Sequence, residues 1–117
     1  MNESNPSDAA LAELLTLTVR VNIFGSIVYY DDMGKWHRVH GPAVIYSDGT
    51  EEWYRHGQRH REGGPACISV CGDKSWYRHG QRHREDGPAI MWAGVRQWHL
   101  NGRELTEEEF NERIRSM

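Results

Sequence analysis

The sequence of 117 residues has little of several features that would each define a class of protein. Only 38% of its residues are apolar, and no run approaches the roughly 18 apolar residues that a membrane-spanning helix needs, so no membrane span is expected. The N-terminal MNESNPSD has neither the basic nor the apolar segment of a signal peptide, which predicts a cytoplasmic protein. Two cysteines, Cys67 and Cys71, are too few for a disulfide framework, so free reduced thiols are expected.

The short length also limits what the chain can be. One domain is expected, which excludes a multidomain enzyme. Five tryptophans and five tyrosines must supply much of the burial, and this favours a thin, β-rich fold. The formal net charge is −3, with −2 in each of the segments 1–29 and 106–117 and +1 in 30–105. The middle of the chain therefore lacks the basic excess of a typical nucleic-acid-binding protein.

An internal repeat of 23 residues fills the middle of the chain. The segment WYRHGQRHREGGPA, which begins at Trp53, recurs from Trp76 as WYRHGQRHREDGPA, with 13 of 14 positions identical. The Gly-Pro-Ala triplets that begin at residues 41, 64 and 87 follow the same period. A last unit begins at Trp98 and then departs from the pattern, as is expected of a repeat that caps an array.

Within each unit the alternation of residues predicts one β-hairpin. In the best-defined unit, the strand PAVIYS is followed by Asp48–Gly49 as a two-residue turn and by a second strand, TEEWYRHG. The corresponding turns are expected at 72–73 and 93–94. The longer link GQRHREGG is expected to join one hairpin to the next.

Both ends of the array are predicted to be helical. Residues 8–16 place leucines at helical spacing, which predicts a short N-terminal helix. Thr106 and Glu109 have the spacing of a capping box, and Leu105 and Phe110 that of a hydrophobic staple, so a helix is expected to begin there. We expect both helices to cover apolar surface of the sheet.

Together these patterns predict an all-β fold. The expected architecture is an elongated antiparallel single-layer sheet of 23-residue hairpin repeats with a short N-terminal helix and a C-terminal capping helix. The chain is predicted to divide into residues 1–29, with the N-terminal tail, short helix and first strands, residues 30–105, with the hairpin repeats, and residues 106–117, with the capping helix.

Residues 30–105 resemble MORN-type repeats, and specifically the variant with an HRxDGPA signature that occurs in small phage and giant-virus proteins. The resemblance rests on the 23-residue period and on the order of aromatic, Gly, His and Gly residues before the next strand. The segment NGRELTEEEF at 101–110 is also similar to the ending of such phage proteins. For that variant the resemblance implies an elongated antiparallel sheet, a binding role and no catalytic residues. The extra loop residues Arg61–Glu62 and Arg84–Glu85 distinguish the chain from ordinary MORN units, so lipid-binding proposals for the wider family transfer poorly.

The repeat is expected to place arginines in rows along one edge of the sheet, with histidines between them. Such rows beside tryptophans can bind an acidic protein surface, or phosphates and bases. The alternative is that the arginines pair with neighbouring carboxylates or face water. We expect Arg59 and Arg82 to be exposed, since they lie in the link, and to be the least structural of the arginines, since no acidic residue is next to them in sequence. The candidate partner-binding residues are Arg55, His56, Arg59, Arg78, His79, Arg82, Trp36 and Trp92.

The recurring histidines also raise the question of a metal site. No unit contains the paired ligands of a structural zinc site, and the cysteines occur in one repeat, so neither a metal nor another cofactor is expected. The histidines are instead expected to hydrogen-bond to loop backbone, and the recurring tryptophans to be packing rings. No catalytic residue is predicted, because no candidate nucleophile lies beside an identifiable base. The predicted structural repeat residues are His37, His60, His83, Trp53, Trp76 and Trp98.

The sequence therefore predicts a non-enzymatic protein-binding repeat module of phage type. From the resemblance we expect a viral protein that acts in the host–virus interaction, in the host bacterial cytoplasm, as an anti-CRISPR-like inhibitor of a host defence complex. Its partner is expected to be a host defence protein or nucleoprotein rather than a membrane, and the chain itself a monomer or homodimer. The alternative is a protein that binds and sequesters a nucleotide or nucleic acid through the Arg and Trp rows, and a weaker third hypothesis is a metal-dependent nuclease.

Overall fold

The computed structural model describes residues 7–117 and confirms the predicted fold class, an antiparallel sheet of β-hairpins with a helix at each end. Helix α1 spans Asp8–Leu14, and helix α2 spans Glu107–Ser116. The strands are β1 (Thr18–Val21), β2 (Ile27–Tyr30), β3 (Val44–Ile45), β4 (Glu51–Glu52), β5 (Tyr54–Arg55), β6 (Gln58–Arg59), β7 (Cys67–Ile68), β8 (Lys74–Ser75), β9 (Tyr77–Arg78), β10 (Gln81–Arg82), β11 (Ile90–Trp92), β12 (Val95–Leu100) and β13 (Arg103–Leu105).

Nine of these strands form one antiparallel sheet in the order β1-β2-β3-β4-β7-β8-β11-β12-β13. Each strand of this sheet pairs with the strand of the same sheet that comes next along the chain, so the sheet is an antiparallel meander. The strands that the path leaves out, β5 with β6 and β9 with β10, form two separate two-stranded sheets. The radius of gyration of 16.0 Å exceeds the about 13 Å of a compact 100-residue domain, as an elongated sheet requires.

Each complete unit contains two hairpins, so the prediction of one hairpin per unit is wrong. The second hairpin, which we call the tip hairpin, is formed by the end of the predicted second strand and the beginning of the predicted link. In one unit it consists of β5 and β6, and its turn residues His56 and Gly57 have φ values of 48° and 84°. Two successive positive φ values define a type I′ turn, which matches the twist of the flanking strands. In the last unit β12 extends from the main sheet into its tip hairpin, which turns at Asn101–Gly102.

Most turns of the main sheet also differ from the prediction. The Tyr46 N–H donates to the carbonyl of Thr50 (2.8 Å), and the Gly49 N–H donates to that of Tyr46 (2.9 Å). These bonds close a three-residue loop whose last residue, Gly49, has a φ of 97°, rather than a two-residue turn. The same pattern recurs at 69–73, whereas Ala93–Gly94 is the two-residue turn that was expected.

An arginine packed between a ring and a glycine explains the repeated sequence signature. The guanidinium of Arg61 lies 3.8 Å from the centroid of the Trp53 ring, and Arg84 lies at the same distance over Trp76. Nη1 of Arg61 donates to the carbonyl of the signature proline (3.1 Å). A Cβ atom at Gly64 would lie 2.8 Å from Cζ of Arg61, so the site accepts only glycine without rearrangement. These arginines stabilise each unit through cation–π and hydrogen-bond contacts.

Helix α2 caps the C-terminal end of the sheet. Thr106 and Glu109 exchange the two hydrogen bonds of a capping box, as the sequence predicts. Phe110 is buried against Leu100 and Leu105, with Trp98 and Ile114 packed around them. This cluster packs α2 against the last hairpin, so the prediction of a C-terminal capping helix is confirmed. The cluster residues come from β12, β13 and α2.

Helix α1 does not cover the sheet, and that expectation is wrong. The helix has no buried residue, and Leu15, which follows it, is 89% exposed. Its Glu13 carboxylate accepts the N–H of Val39 (2.6 Å) and that of His40 (2.9 Å), which attaches the helix to the loop before β3. The leucines at helical spacing therefore form an exposed face and do not cover the end of the sheet.

Candidate functional site

The tip hairpins stack on one another through three buried histidines, which we call the histidine column: His37, His60 and His83. Nδ1 of each ring accepts the backbone N–H of the residue that begins the turn of the next tip hairpin. The bonds, all 2.9 Å long, run from the N–H of His56 to His37, of His79 to His60 and of Asn101 to His83. Each unit is thereby joined to the next by a hydrogen bond from backbone to histidine.

These bonds fix the protonation state of the histidine column. A ring that accepts at Nδ1 carries its proton at Nε2, and in two units Nε2 faces a carboxylate two residues further along. The distances are 3.4 Å from His60 to Glu62 and 2.9 Å from His83 to Glu85. Burial lowers the pKa of His37 and of His60, so the neutral ring is favoured in the folded chain.

The predicted binding residues do not lie along one edge, because the tip hairpins place them on two opposite faces. Successive side chains of a strand point to opposite sides. Tyr54 is paired with Arg59, whereas Arg55 is paired with Gln58. Arg55, with His56, therefore belongs to the face that contains the histidine column, which is also the face of Arg78 and His79. The remaining predicted residues, Trp36, Arg59, Arg82 and Trp92, share the other face with two tyrosines.

That other face forms a continuous row, which we call the aromatic–arginine ladder: Trp36, Tyr54, Arg59, Tyr77, Arg82 and Trp92. Trp36 and Tyr54 meet edge to face at 5.2 Å between ring centroids. The guanidinium of Arg59 lies 6.0 Å from the centroid of Tyr54 and 5.4 Å from that of Tyr77. Nε of Arg82 donates to the Tyr77 hydroxyl (3.4 Å), and its guanidinium lies 5.9 Å from the Trp92 centroid. Cations and rings thus alternate across three units.

The ladder arginines are half-buried, so the expectation that Arg59 and Arg82 are exposed is wrong. The cause is their packing on tyrosines, which sequence reasoning did not select. Nε of Arg59 is buried without a hydrogen-bond partner among residues 7–117. Burial, and then the charge of Glu52, raise the pKa of Tyr54 to about 12, so its hydroxyl stays protonated and donates to Glu52 (3.1 Å).

The structure also brings three possible metal ligands together, which the sequence does not indicate. Ligand atoms of Asp31, His37 and His56 lie within 4.8 Å of one another. The turn of this unit is one residue longer than that of the later units, so Tyr30, which is paired with Trp36, takes the position of Tyr54, and Asp31 takes that of Arg55. Its carboxylate already accepts the N–H groups of Met33 and Lys35, both at 2.9 Å.

This cluster fits a hydrogen-bonded junction better than a metal site. Oδ2 of Asp31 lies 2.6 Å from Nδ1 of His56, and that hydrogen bond, with the one to the Lys35 N–H, lowers the pKa of Asp31 to about 2. Nδ1 of His37 accepts the hydrogen bond of the His56 N–H, and the two rings stack at 3.9 Å between centroids. Stacked imidazoles direct their lone pairs in parallel, so one ion does not lie in the plane of both.

We predict that chelation leaves the stability of the protein unchanged. The groups of the Asp31 cluster are satisfied by one another and by backbone, so removing metal removes no stabilising contact. The measurement is the melting temperature with and without EDTA. A fall of many degrees with EDTA that zinc reverses would contradict this prediction and establish the cluster as a metal site.

No protein-family model matches the chain, and neither a curated protein nor a solved structure shows significant similarity to it. The class that the fold defines is an antiparallel β-hairpin repeat protein, capped by a helix at its C-terminal end. Neither helix in the described part of the chain has the length and apolar composition that crossing a membrane requires.

Proposed function

We propose that the protein is a non-enzymatic binding module that attaches to a protein partner through the aromatic–arginine ladder. The observation that supports this most directly is the composition of the ladder, two arginines among two tyrosines and two tryptophans. Trp, Tyr and Arg are the residue types that dominate the binding energy of protein–protein interfaces. Here the repeat aligns six of them on one face.

The ladder is also pre-organised for binding. Arg59 and Arg82 are held by ring faces and, for Arg82, by the Tyr77 hydroxyl, so little side-chain freedom is lost when a partner docks. Trp92 ends the row with 42% of its surface exposed, which leaves apolar area to bury. Two guanidinium groups beside partly exposed rings fit a partner surface that carries carboxylates.

A role without catalysis is supported by how the titratable side chains are used. Nδ1 of each histidine in the column accepts a backbone N–H, and Asp31 is hydrogen-bonded to two N–H groups and His56. Groups that stabilise turns and junctions in this way are not free to take and give protons. The resemblance of residues 30–105 to MORN-type repeats of phage proteins supports the narrower proposal that the partner is a bacterial host defence complex, which the protein inhibits.

We predict that the double substitution Arg82→Gln and Trp92→Ala weakens partner binding by at least about tenfold, since truncating an interface tryptophan costs about 2 kcal/mol or more. The matched control is Arg96→Gln, because Arg96 is paired with Met91 and lies on the opposite face of the sheet from Trp92. Immobilised wild-type protein and both variants are exposed to bacterial lysate, with and without nuclease, and the retained proteins are quantified.

The expected result is a protein retained by the wild type and by Arg96→Gln but lost from the ladder variant, with or without nuclease. Equal retention by all three would contradict the ladder as the site. Retention that nuclease abolishes would favour the nucleic-acid alternative, for which binding of an oligonucleotide is expected to weaken steeply with salt, by close to one logarithmic unit of slope per phosphate.

A further inference from the structure

Two similar cavities lie on the face that contains the histidine column, one at each of two successive junctions between units. The first is lined by Arg55, His56 and His60 and has a volume of about 360 Å³. The second is lined by Arg78, His79 and His83, which stand 23 residues later, and has a volume of about 450 Å³. The repeat therefore supplies one arginine and two histidines to each cavity, and α2 adds Arg113 to the second.

The second cavity contains a carboxylate of the chain itself. Glu85 lines it, and Oε2 of Glu85 lies 2.9 Å from Nε2 of His83 and 3.8 Å from Nη1 of Arg78. One carboxylate thus joins the buried histidine of the column to the arginine. The structure itself shows which chemical group this combination of side chains accepts.

The first cavity has the corresponding arginine and no acidic residue in its lining, while its His56 is hydrogen-bonded to Asp31 from outside the lining. Glu62, the counterpart of Glu85, does not line this cavity; it lies 3.4 Å from Nε2 of His60, and its side chain is 67% exposed. Arg55 forms no ion pair within residues 7–117. In the preceding unit the equivalent position is Val39, which also lines the cavity and offers no charge.

We propose that this Arg55 cavity binds a carboxylate supplied from outside the chain, an aspartate or glutamate side chain of a partner protein. The guanidinium of Arg55 supplies paired donors, and the Gln58 amide in the lining supplies another. The inference depends on the proposed function in that the partner is a protein, but it assigns the partner a second contact, on the face opposite the ladder.

The probe is a short capped peptide with a single central glutamate, compared with the same peptide carrying glutamine. Binding is followed by the chemical shifts of the arginine Nε–H groups and histidine rings as each peptide is added at constant ionic strength. The glutamate peptide is expected to shift Arg55, His56 and His79 in a saturable way, and the glutamine peptide to shift none of them. Equal shifts with both peptides would overturn the proposal without requiring any variant to fold.

Two substitutions then separate the two cavities. Arg55→Gln is expected to abolish the saturable shifts. Arg78→Gln is expected to leave them unchanged, because Arg78 is already paired with Glu85. Glu85→Gln is expected to create a second saturable site, seen as new shifts at Arg78 and His83. Shifts that persist in Arg55→Gln, or the absence of a second site in Glu85→Gln, would overturn the proposal.

The ladder provides the remaining control. In the Arg82→Gln, Trp92→Ala variant the glutamate peptide is expected to shift Arg55 as in the wild type, so failure of the ladder hypothesis and failure of the Arg55 cavity give different results. Loss of the Arg55 shifts in that folded variant would overturn the assignment of a separate site.

Discussion

Substitution of Phe110 by alanine is expected to lower the free energy of unfolding by about 3–5 kcal/mol, the usual cost of truncating a buried phenylalanine. Phe110 is 4% exposed and joins α2 to Leu100 and Leu105, the only cluster of buried apolar side chains seen within residues 7–117. A domain of this size has a total stability of about 5–15 kcal/mol, so the loss is a large part of it. The measurement is urea unfolding followed by tryptophan fluorescence.

The sequence offers a matched control for this substitution, because its second phenylalanine, Phe24, is 74% exposed. Phe24→Ala is expected to change the unfolding free energy by no more than about 0.5 kcal/mol. Since α2 also covers the end of the sheet, deletion of 106–117 is expected to cause self-association through the uncovered strand. Equal stabilities for Phe110→Ala and Phe24→Ala would contradict the role of α2 as a cap.

Stability is expected to fall as the pH falls below about 6.5, the ordinary pKa of histidine. Burial lowers the pKa of His37 and of His60 in the folded chain, so just below that pH the unfolded chain binds protons that the folded chain does not. Protonation at Nδ1 also removes the acceptor of the His56 and His79 N–H groups and loosens the junctions between units. The hydrogen bond to Glu62 raises the pKa of His60, but burial lowers it by more.

The pH dependence has a matched pair of variants. Unfolding free energies are compared at about pH 7.5 and about pH 5.5, where histidine changes its charge. His60→Gln is expected to lower stability at the higher pH and to reduce its dependence on pH, whereas His40→Gln, at an exposed position, is expected to do neither. The contribution of Asp31, whose pKa is about 2, is lost only at much lower pH, below its ordinary value of 3.8. Stability that is constant between the two pH values would contradict the role of the histidine column.

The elements that the sequence predicted correctly are those with strong local signals. Sequence identity between units revealed the 23-residue period, and alternation of residues revealed the strands around Val44 and Ile90. The capping box revealed the start of α2 at Thr106, and each of these features is present. Asp48–Gly49 was misread because a dipeptide that suits a two-residue turn also fits the end of a three-residue loop.

The tip hairpins were missed for a different reason. Their strands are two residues long and rich in Arg and Gln, and their turns place His56 and His79 at positive φ, which is uncommon for residues other than glycine. Asn101–Gly102, a strong type I′ signal at the same repeat position, would have revealed them. Without the tip hairpin, Arg55 and Arg59 could not be assigned to opposite faces. The pairing of Tyr54 with Arg59, on which the ladder depends, could not be predicted for the same reason.

Oxidative footprinting of side chains in the captured complex tests the ladder as the binding site most directly. The rings of Trp92 and Tyr77 are expected to be protected from oxidation when the partner is bound. Phe24 and Met33, which are 74% and 78% exposed and are not ladder residues, are expected to react as they do in the free protein. Protection of Phe24 or Met33 with unchanged reactivity of Trp92 would contradict the account and place the partner on another surface.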